Sequence, residues 1–245
     1  MKIILSAIFS LALISFNFSA PDAVEILKKV DANMVSKTRI VESEMVIYGR
    51  RKSRTVVSKS YAEGNEKSYT EYLAPDREKG TKMLKLEDRL WIYSPSTDRT
   101  IQLSGHMLRQ SVMGSDLSYE DAMEDRKLTD MYKVEVIGEE VVDGRKTWIL
   151  DLNAKVKDVN YQRVKMWVDQ ERFVPLKEEM FAKSGQLLKK TTMSDITKVG
   201  GRWFPKKTNY KDVLKSGKGT DFIVRSVEFD VEIPPYLFSK AALKK

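Results

Sequence analysis

A strand-like alternation of apolar and polar positions dominates the chain from about residue 39 onward. In one such run, Val227, Phe229 and Val231 alternate with charged or hydroxyl-bearing neighbours. A period of two residues is typical of strands that bury one face. The runs are separated by short turn sequences such as Asp143-Gly144, which favours a two-residue hairpin. The pattern therefore predicts a long series of antiparallel hairpins.

Two segments depart from this period. Over residues 22–34 the apolar residues recur at spacings of four, seven and eleven, which predicts a helix with one apolar stripe. Residues 104–127 show no regular alternation. Within them, Ser118 is followed three residues later by Asp121, close to the pattern of a capping box. This predicts a short helix from about Tyr119 to Glu124.

Together these elements predict a mainly β protein with few helices. About eleven strands at hairpin spacing form a single antiparallel sheet, and the inherent twist of strands curls so long a sheet into an incomplete β-barrel. Its concave face is apolar, and the N-terminal helix and a mid-chain helical lid are expected to cover it. We expect residues 21–245 to form one half-barrel domain, without a linker or an internal repeat.

Residues 1–20 have a different character. Lys2 is followed by a mostly apolar run that ends at the small residues Ser19 and Ala20. A basic start, an apolar centre and a small-residue exit are the layout of a secretory signal peptide. The run is shorter than the roughly 20 apolar residues that a membrane anchor needs. We therefore predict that residues 1–20 are a signal peptide and that the protein is exported.

Composition narrows the function further. The chain has no cysteine, which excludes disulfide bonds and a thiol nucleophile. Its formal charge is +8, and residues 21–245 keep +7 (8 − 1) because residues 1–20 carry one lysine and no acid. We interpret this charge as solubility or, alternatively, as transient attraction to anionic membrane surfaces. Nucleic acid is not expected as a partner, since the basic residues alternate with acidic ones.

The sequence offers no residue set for a familiar catalytic chemistry. The single histidine, His106, has Ser111 and Ser115 nearby, but the chain lacks the G-x-S-x-G motif of a nucleophile elbow. One histidine cannot form a histidine-pair metal site. The acids between Asp116 and Asp125 lack the spacing of a calcium loop, so we interpret them as helix caps and a solvated surface. We predict that the protein is not an enzyme and has no cofactor.

Several short strings, taken in their order, resemble a known family. They are Leu90-Trp-Ile-Tyr-Ser-Pro-Ser96, Met113-Gly-Ser-Asp-Leu-Ser-Tyr-Glu-Asp121, Asp143-Gly-Arg-Lys-Thr-Trp148, Met166-Trp-Val-Asp169 with Phe173-Val-Pro175, and Gly200-Gly-Arg-Trp-Phe-Pro205. The order of helix, hairpins, helical insert and further hairpins resembles the LolA/LolB-like superfamily of periplasmic lipoprotein carriers. The strings resemble its LolA-like branch, the outer membrane lipoprotein-sorting proteins. Among them, the Met113–Asp121 string is the most specific.

This resemblance implies a function. It implies a periplasmic carrier that binds the acyl chains of a lipid or lipoprotein for transfer between membranes, with an inner-membrane transporter as a further partner. The alternative is a periplasmic sensor or adaptor that uses the same fold to bind a transporter or a regulatory partner. We expect a monomer. The arginine that releases the chain in the carriers has no assigned position in this sequence, because the early strands offer Arg39, Arg50, Arg51 and Arg54 and no motif chooses among them.

The expected ligand-binding residues are aromatic, methionine and aliphatic side chains. We expect Met113 and Tyr119 to close the lid and the remaining residues to line the wall of the cavity. The full set is Trp91, Tyr93, Met113, Tyr119, Trp148, Leu150, Met166 and Val168. Such residues can also be ordinary packing of a sheet face, and the sequence leaves both interpretations open. Methionine suits a site that accepts varied acyl chains, because its side chain is flexible and polarizable.

Overall fold

The computed structural model describes residues 22–49 and 51–244, so the predicted signal peptide lies outside the described residues. All thirteen strands belong to one antiparallel sheet. The strands are β1 (Thr38–Tyr48), β2 (Ser53–Glu63), β3 (Lys67–Ala74), β4 (Lys82–Leu86), β5 (Arg89–Ser94), β6 (Arg99–Leu103), β7 (Tyr132–Val142), β8 (Arg145–Ala154), β9 (Arg163–Asp169), β10 (Pro175–Phe181), β11 (Leu187–Val199), β12 (Arg202–Asp212) and β13 (Thr220–Phe229). The helices are α1 (Ala23–Met34), α2 (Tyr119–Met123) and α3 (Leu128–Met131), with 3-10 turns at Gly105–Arg109, Val112–Gly114, Pro235–Phe238 and Lys240–Lys244.

The sheet consists of two meanders joined in the middle. Strands β1 to β6 are neighbours in chain order, and so are β7 to β13. The halves meet where β1 pairs with β13, for example Arg39 opposite Phe229. Strands β6 and β7 are consecutive in the chain, yet they form the two opposite edges of the sheet. The sheet is curved but does not close into a barrel.

The predicted fold class is confirmed, but the count of about eleven strands was wrong. Short segments such as β4 and β6 pair as separate members of the sheet, β4 with β3 and β5, and β6 with β5. The last strand also ends at Phe229, before the end of the alternating run. Asp230 adopts a left-handed backbone with φ of 57°, and its carboxylate accepts hydrogen bonds from the Lys37 backbone and from Arg202 instead.

Helix α1 begins and ends where its polar contacts require. Asp22 is its N-cap and accepts hydrogen bonds from the backbone N–H of Val24 (2.9 Å) and Glu25 (3.3 Å). At the other end, Arg202 donates to the carbonyl oxygens of Ala32 and Val35 and so satisfies free acceptors of the helix terminus. The helix predicted over residues 22–34 is therefore confirmed.

The pairing register shows which residues share a face of the sheet. Met45 lies opposite Phe222 where the two halves meet, and Leu150 lies opposite Met166 within the second half. The register continues the same face through β10, β11 and β12. We call this the inner face, since α1 and the segment between β6 and β7 pack on it. The opposite, outer face carries Trp91, which packs against Leu243 of the C-terminal turns.

Asp31 ties α1 to α3. Its buried carboxylate accepts hydrogen bonds from the backbone N–H groups of Leu128 (2.8 Å) and Thr129 (3.0 Å) and from the Thr129 hydroxyl (2.7 Å). Asp31→Ala leaves three donors without this acceptor, so we expect it to lower the free energy of unfolding by about 1–3 kcal/mol. Glu25→Ala, which breaks an exposed ion pair on the same helix, should cost under about 1 kcal/mol.

Urea unfolding of both variants measures this difference. Equal losses for the two variants would show that Asp31 does not hold the helices together.

Candidate functional site

The segment Ser104–Lys127, here called the insert, lies over the inner face. Its Val112, Met113 and Tyr119 pack against inner-face residues such as Met45 and Met83. Within its 3-10 turns and α2, Val112 is the one hydrophobic residue that is fully buried. The other apolar residues of the insert that contact the inner face are only partly buried. The apolar contact between the insert and the sheet is therefore shallow.

Asp116 anchors the insert to the ends of β12 and β13. This aspartate is 8% exposed, and its carboxylate accepts a hydrogen bond from the Thr220 hydroxyl (2.9 Å) and another from the Asp212 backbone N–H (3.0 Å). The Asp116 backbone N–H donates to the same Thr220 hydroxyl (3.0 Å). Nearby, the Lys215 ammonium donates to the Ser115 carbonyl (2.5 Å). These contacts hold the middle of the insert to the sheet.

Asp121 forms a second anchor at the start of α2. It completes the predicted capping box with Ser118, and it contacts Lys189 of β11 and the Tyr161 hydroxyl (2.6 Å). Burial opposes ionisation of Asp121, but the charge of Lys189 and the hydrogen bonds from Lys189, Tyr161 and Ser118 outweigh it. The pKa of Asp121 is therefore held below its ordinary value, and this anchor stays ionised.

The third anchor contains one of the four early arginines. Arg39 of β1 forms an ion pair with Asp125 of the insert. Beside it, the ammonium of Lys85 donates to the Met123 carbonyl (2.5 Å), and burial lowers the pKa of this lysine. Arg54 also reaches the insert, by a hydrogen bond to the Met113 carbonyl. Arg51 is exposed, and Arg50 lies outside the described residues.

A polar row crosses the inner face between its two apolar clusters. In this row Glu178 lies opposite Thr191, which lies opposite Tyr210. The Thr191 hydroxyl donates to the Glu178 carboxylate (2.7 Å), and burial raises the pKa of Glu178. Sequence reasoning missed this row, although the inward position of Glu178 in the alternation Leu176, Glu178, Met180 was the available signal.

The predicted ligand-binding residues fall into three groups. Leu150, Met166 and Val168 are fully buried beneath α1, and Trp148 packs beside them against Phe173 with 5.6 Å between ring centroids. The second group is Met113 and Tyr119, which belong to the insert and cover the other half of the same inner face. Six of the eight predicted residues therefore lie on or over one face.

Trp91 and Tyr93 form the third group, on the outer face. Trp91 is 4% exposed and lies beneath the C-terminal turns, with the Lys240 ammonium 4.4 Å from its ring. The Tyr93 hydroxyl donates to Asp98 (3.2 Å). Their neighbours Leu90 and Ile92 point to the inner face instead. The structure thus does not bring these two aromatic residues together with the other six.

The candidate catalytic residues are not assembled. His106 is exposed, while the Ser111 hydroxyl contacts Lys215 and the Ser115 hydroxyl contacts Leu117. The part of the chain that the structure describes contains no group of three acidic, histidine or cysteine side chains placed to hold a metal. Across the same residues, no helix has the length and apolar character needed to cross a membrane.

Two cavities flank the insert. The larger, here called the seam cavity, has a volume of about 530 Å³ and lies between the end of α1 and the start of α3. The polar and charged residues that line it include Lys28, Asp31, Ser36, Lys37, Lys127 and Arg202. The smaller, here called the rim cavity, has a volume of about 400 Å³ and lies between α2 and the turns of the first meander, with Met123 and Lys85 in its wall.

This open antiparallel sheet, covered by an N-terminal helix and by an insert between its edge strands, matches solved structures that include a LolA superfamily protein. A LolA superfamily protein from Nitrosomonas europaea is 25% identical, with a TM-score of 0.75 over 90% of this chain and 98% of that one. A DUF1329 family protein from Desulfovibrio piger is 26% identical, with a TM-score of 0.80 over 90% and 97%. A domain from Vibrio parahaemolyticus, described as a candidate outer membrane lipoprotein-sorting protein, is 22% identical, with a TM-score of 0.78 over 91% and 98%.

The family model that matches residues 64–245 is described only as "uncharacterized protein", and the chain belongs to that family. No curated protein matches the chain significantly. The predicted relationship to the LolA/LolB-like superfamily is confirmed by the fold.

The raised pKa of Glu178 predicts a pH-dependent stability. Folded Glu178 holds its proton more tightly than the unfolded chain does, so stability falls as pH rises from the ordinary carboxyl pKa of about 4.3 through the raised value. Glu178→Gln removes this loss while keeping a side-chain acceptor for Thr191. We expect the variant to be more stable than the parent at about pH 8 and close to it at about pH 4.

Thermal unfolding at the two pH values tests this prediction. Glu179→Gln is the control, because Glu179 points to the outer face and pairs with Lys190 (3.3 Å). A difference between Glu178→Gln and the parent that does not change with pH would contradict the assignment.

Proposed function

We propose that this protein is a periplasmic carrier that binds the acyl chains of a lipid or lipoprotein and transfers them between membranes. The observation that carries the proposal is the insert, which lies on an apolar face while burying a single hydrophobic residue completely. Similarity to a LolA superfamily protein and to a candidate lipoprotein-sorting domain supports it. An export signal in residues 1–20 and an inner-membrane transporter as partner belong to the same proposal.

An acyl chain would enter between the insert and the inner face. It would replace the apolar contacts that Met107, Met113 and Tyr119 make there. Burial contributes about 0.8 kcal/mol per CH₂, so a chain of on the order of ten methylenes gains roughly 8 kcal/mol before the costs of binding. Methionine side chains suit this exchange because they repack around chains of different shape.

The polar anchors allow the insert to lift from the sheet and return. Hydrogen bonds and ion pairs at Asp116, Asp121 and Asp125 exchange for bonds with water at a small net cost when the insert lifts. The apolar face that the lifted insert exposes is then covered by the ligand. Release follows when a partner offers the chain a better site, since a ligand shifts an equilibrium only by its differential affinity.

One observation favours the alternative, a sensor or adaptor that binds a partner protein. Strand β7 is an edge of the sheet, and its Ile137 and Val141 are 50% and 63% exposed. An edge strand with exposed apolar residues can accept a further strand from another chain. Uptake of lipid by the inner face would distinguish a carrier from an adaptor.

The carrier function predicts lipid binding that depends on the insert. Lipid extracted from gently purified protein should be detectable by mass spectrometry, and a fluorescent fatty acid should bind on titration. Met113→Ala combined with Tyr119→Ala should weaken this binding about tenfold, because it removes apolar contact at the inner face. Tyr93→Ala, a change on the outer face, should leave the affinity unchanged.

If the purified protein carries no lipid and binds none on titration, it is not a carrier. Equal weakening by Tyr93→Ala would move the binding surface away from the inner face.

If the anchors hold the insert closed, weakening one of them should speed dissociation of the ligand. Asp121→Asn removes the charge that faces Lys189, so residues 115–124 should exchange amide hydrogens faster and bound fatty acid should dissociate faster. Asp130→Asn, an exposed acid on α3 outside the anchors, is the matched control. Hydrogen-exchange mass spectrometry and stopped-flow displacement measure the two rates. Unchanged rates in Asp121→Asn would mean that this anchor does not control access.

A further inference from the structure

We propose that the seam cavity binds a phosphate group and that it holds the phosphate-bearing headgroup of an amphiphile whose chains lie under the insert. This inference rests on the carrier function proposed above and deepens it, because it assigns a chemical class to the ligand and a direction to its binding. The volume of the seam cavity, about 530 Å³, lies in the range of pockets that hold small ligands.

The charges around the seam cavity favour an anion. Lys28, Lys37, Lys127 and Arg202 line it, against the single acid Asp31. Just outside the wall, Glu25 pairs with Lys28 and Asp230 pairs with Arg202, so the local balance is +1 (4 − 3). The carboxylate of Asp31 is occupied by its three hydrogen bonds to the start of α3. A phosphate would therefore meet an excess of cations, with which it forms strong charge-assisted hydrogen bonds.

Two of these cations form no direct ion pair with the described residues. Among the described residues, no side chain or backbone atom forms a hydrogen bond or ion pair with the ammonium groups of Lys37 and Lys127, whereas Lys28 pairs with Glu25 (2.6 Å). Both free lysines are exposed at the cavity and come from different elements, one just before β1 and one at the N-cap of α3. An anion between them would join α1, β1 and α3.

Ser36 supplies an independent indication. It lines the cavity and is 6% exposed, yet its hydroxyl has no hydrogen-bond partner, a condition shared among the described residues only with the side-chain nitrogen of Gln170. A buried hydroxyl without a partner is costly, so such groups usually have a function. An oxygen of a bound anion would give the Ser36 hydroxyl an acceptor.

The end of α1 does not repel an anion here. The C-terminus of a helix carries partial negative charge on its free carbonyl oxygens. Arg202, which also pairs with Asp230 (2.8 Å), donates to the carbonyls of Ala32 (3.0 Å) and Val35 and so occupies these acceptors. This contact offsets the unfavourable helix dipole.

The two cavities differ in charge, and this difference determines the orientation of the bound ligand. Six residues that line the rim cavity are acidic and two are basic, a balance of −4 (2 − 6), so an anionic group would be repelled there. The seam cavity begins at Lys37, two residues before Arg39, whose side chain reaches the insert from the inner face. A headgroup in the seam cavity therefore leaves its chains beside the inner face.

The experiment compares two ligands with the same chains. Dioctanoyl phosphatidylglycerol carries a phosphate and dioctanoylglycerol does not, and both are titrated by calorimetry against the full-length protein. We expect the phospholipid to bind about tenfold more tightly, and we expect high salt to reduce this difference. Lys37→Gln combined with Lys127→Gln should abolish the difference while leaving the affinity for dioctanoylglycerol unchanged. Lys133→Gln combined with Lys183→Gln removes the same charge from exposed sites elsewhere and should change neither.

Ser36→Ala distinguishes a binding role of Ser36 from a purely structural one. The variant should be at least as stable as the parent, because it removes an unpaired buried hydroxyl, yet it should bind the phospholipid about threefold more weakly. A tenfold preference that survives in the Lys37 and Lys127 double variant would overturn the proposal.

Competition with inorganic phosphate shows whether the seam cavity binds the phosphate of a lipid headgroup or free phosphate. Inorganic phosphate should compete with the phospholipid only at millimolar concentration and should not affect dioctanoylglycerol. If inorganic phosphate binds at the seam without displacing the phospholipid, the headgroup assignment is wrong. If neither dioctanoyl ligand binds, the carrier function itself has failed, which is a different result from equal binding of both.

Discussion

The structure depends on one constraint, the need to cover an apolar sheet face between two edges that do not meet. Strands β6 and β7 follow each other in the chain but stand at opposite edges of the sheet. The connection between them must therefore travel across the inner face. The same face carries the buried residues Met45, Met83, Leu150 and Met166, which water would otherwise reach. The topology thus places the insert where the hydrophobic effect requires a cover.

The two covers of the inner face are held in different ways. Helix α1 buries Ile26, Leu27 and Val30 completely, and each such side chain contributes about 1.5–3 kcal/mol. Its Asn33 side chain also bonds to the backbone of Arg172 and Phe173. The insert instead relies on polar anchors at its edges. In the proposed function, α1 is therefore the fixed part of the wall and the insert is the part that moves.

Local chemistry was readable from the sequence. Asp22 and Ser118 are N-caps as their residue types predicted, and the hairpin at Asp143-Gly144 has both residues at positive φ, as such a turn requires. These features depend on residues a few positions apart, so both partners of each interaction can be recognised in a short stretch of sequence. Helix α3 and the 3-10 turns of the insert were missed, because elements of three to five residues are too short to show a helical period.

The sequence by itself determined the strand periodicity, the caps and the open β class, since each follows from spacing along the chain. It also made Leu150, Met166 and Val168 recognisable as one face. Only the tertiary structure decided that Trp91 faces outward beneath the C-terminal turns, that Glu178 lies in a polar row on the inner face and that Arg39, rather than another early arginine, pairs with Asp125. These outcomes depend on which distant strands become neighbours and on what covers each face. The alternation of apolar and polar residues shows that a strand has two faces, but the contacts made across the sheet decide which face is which.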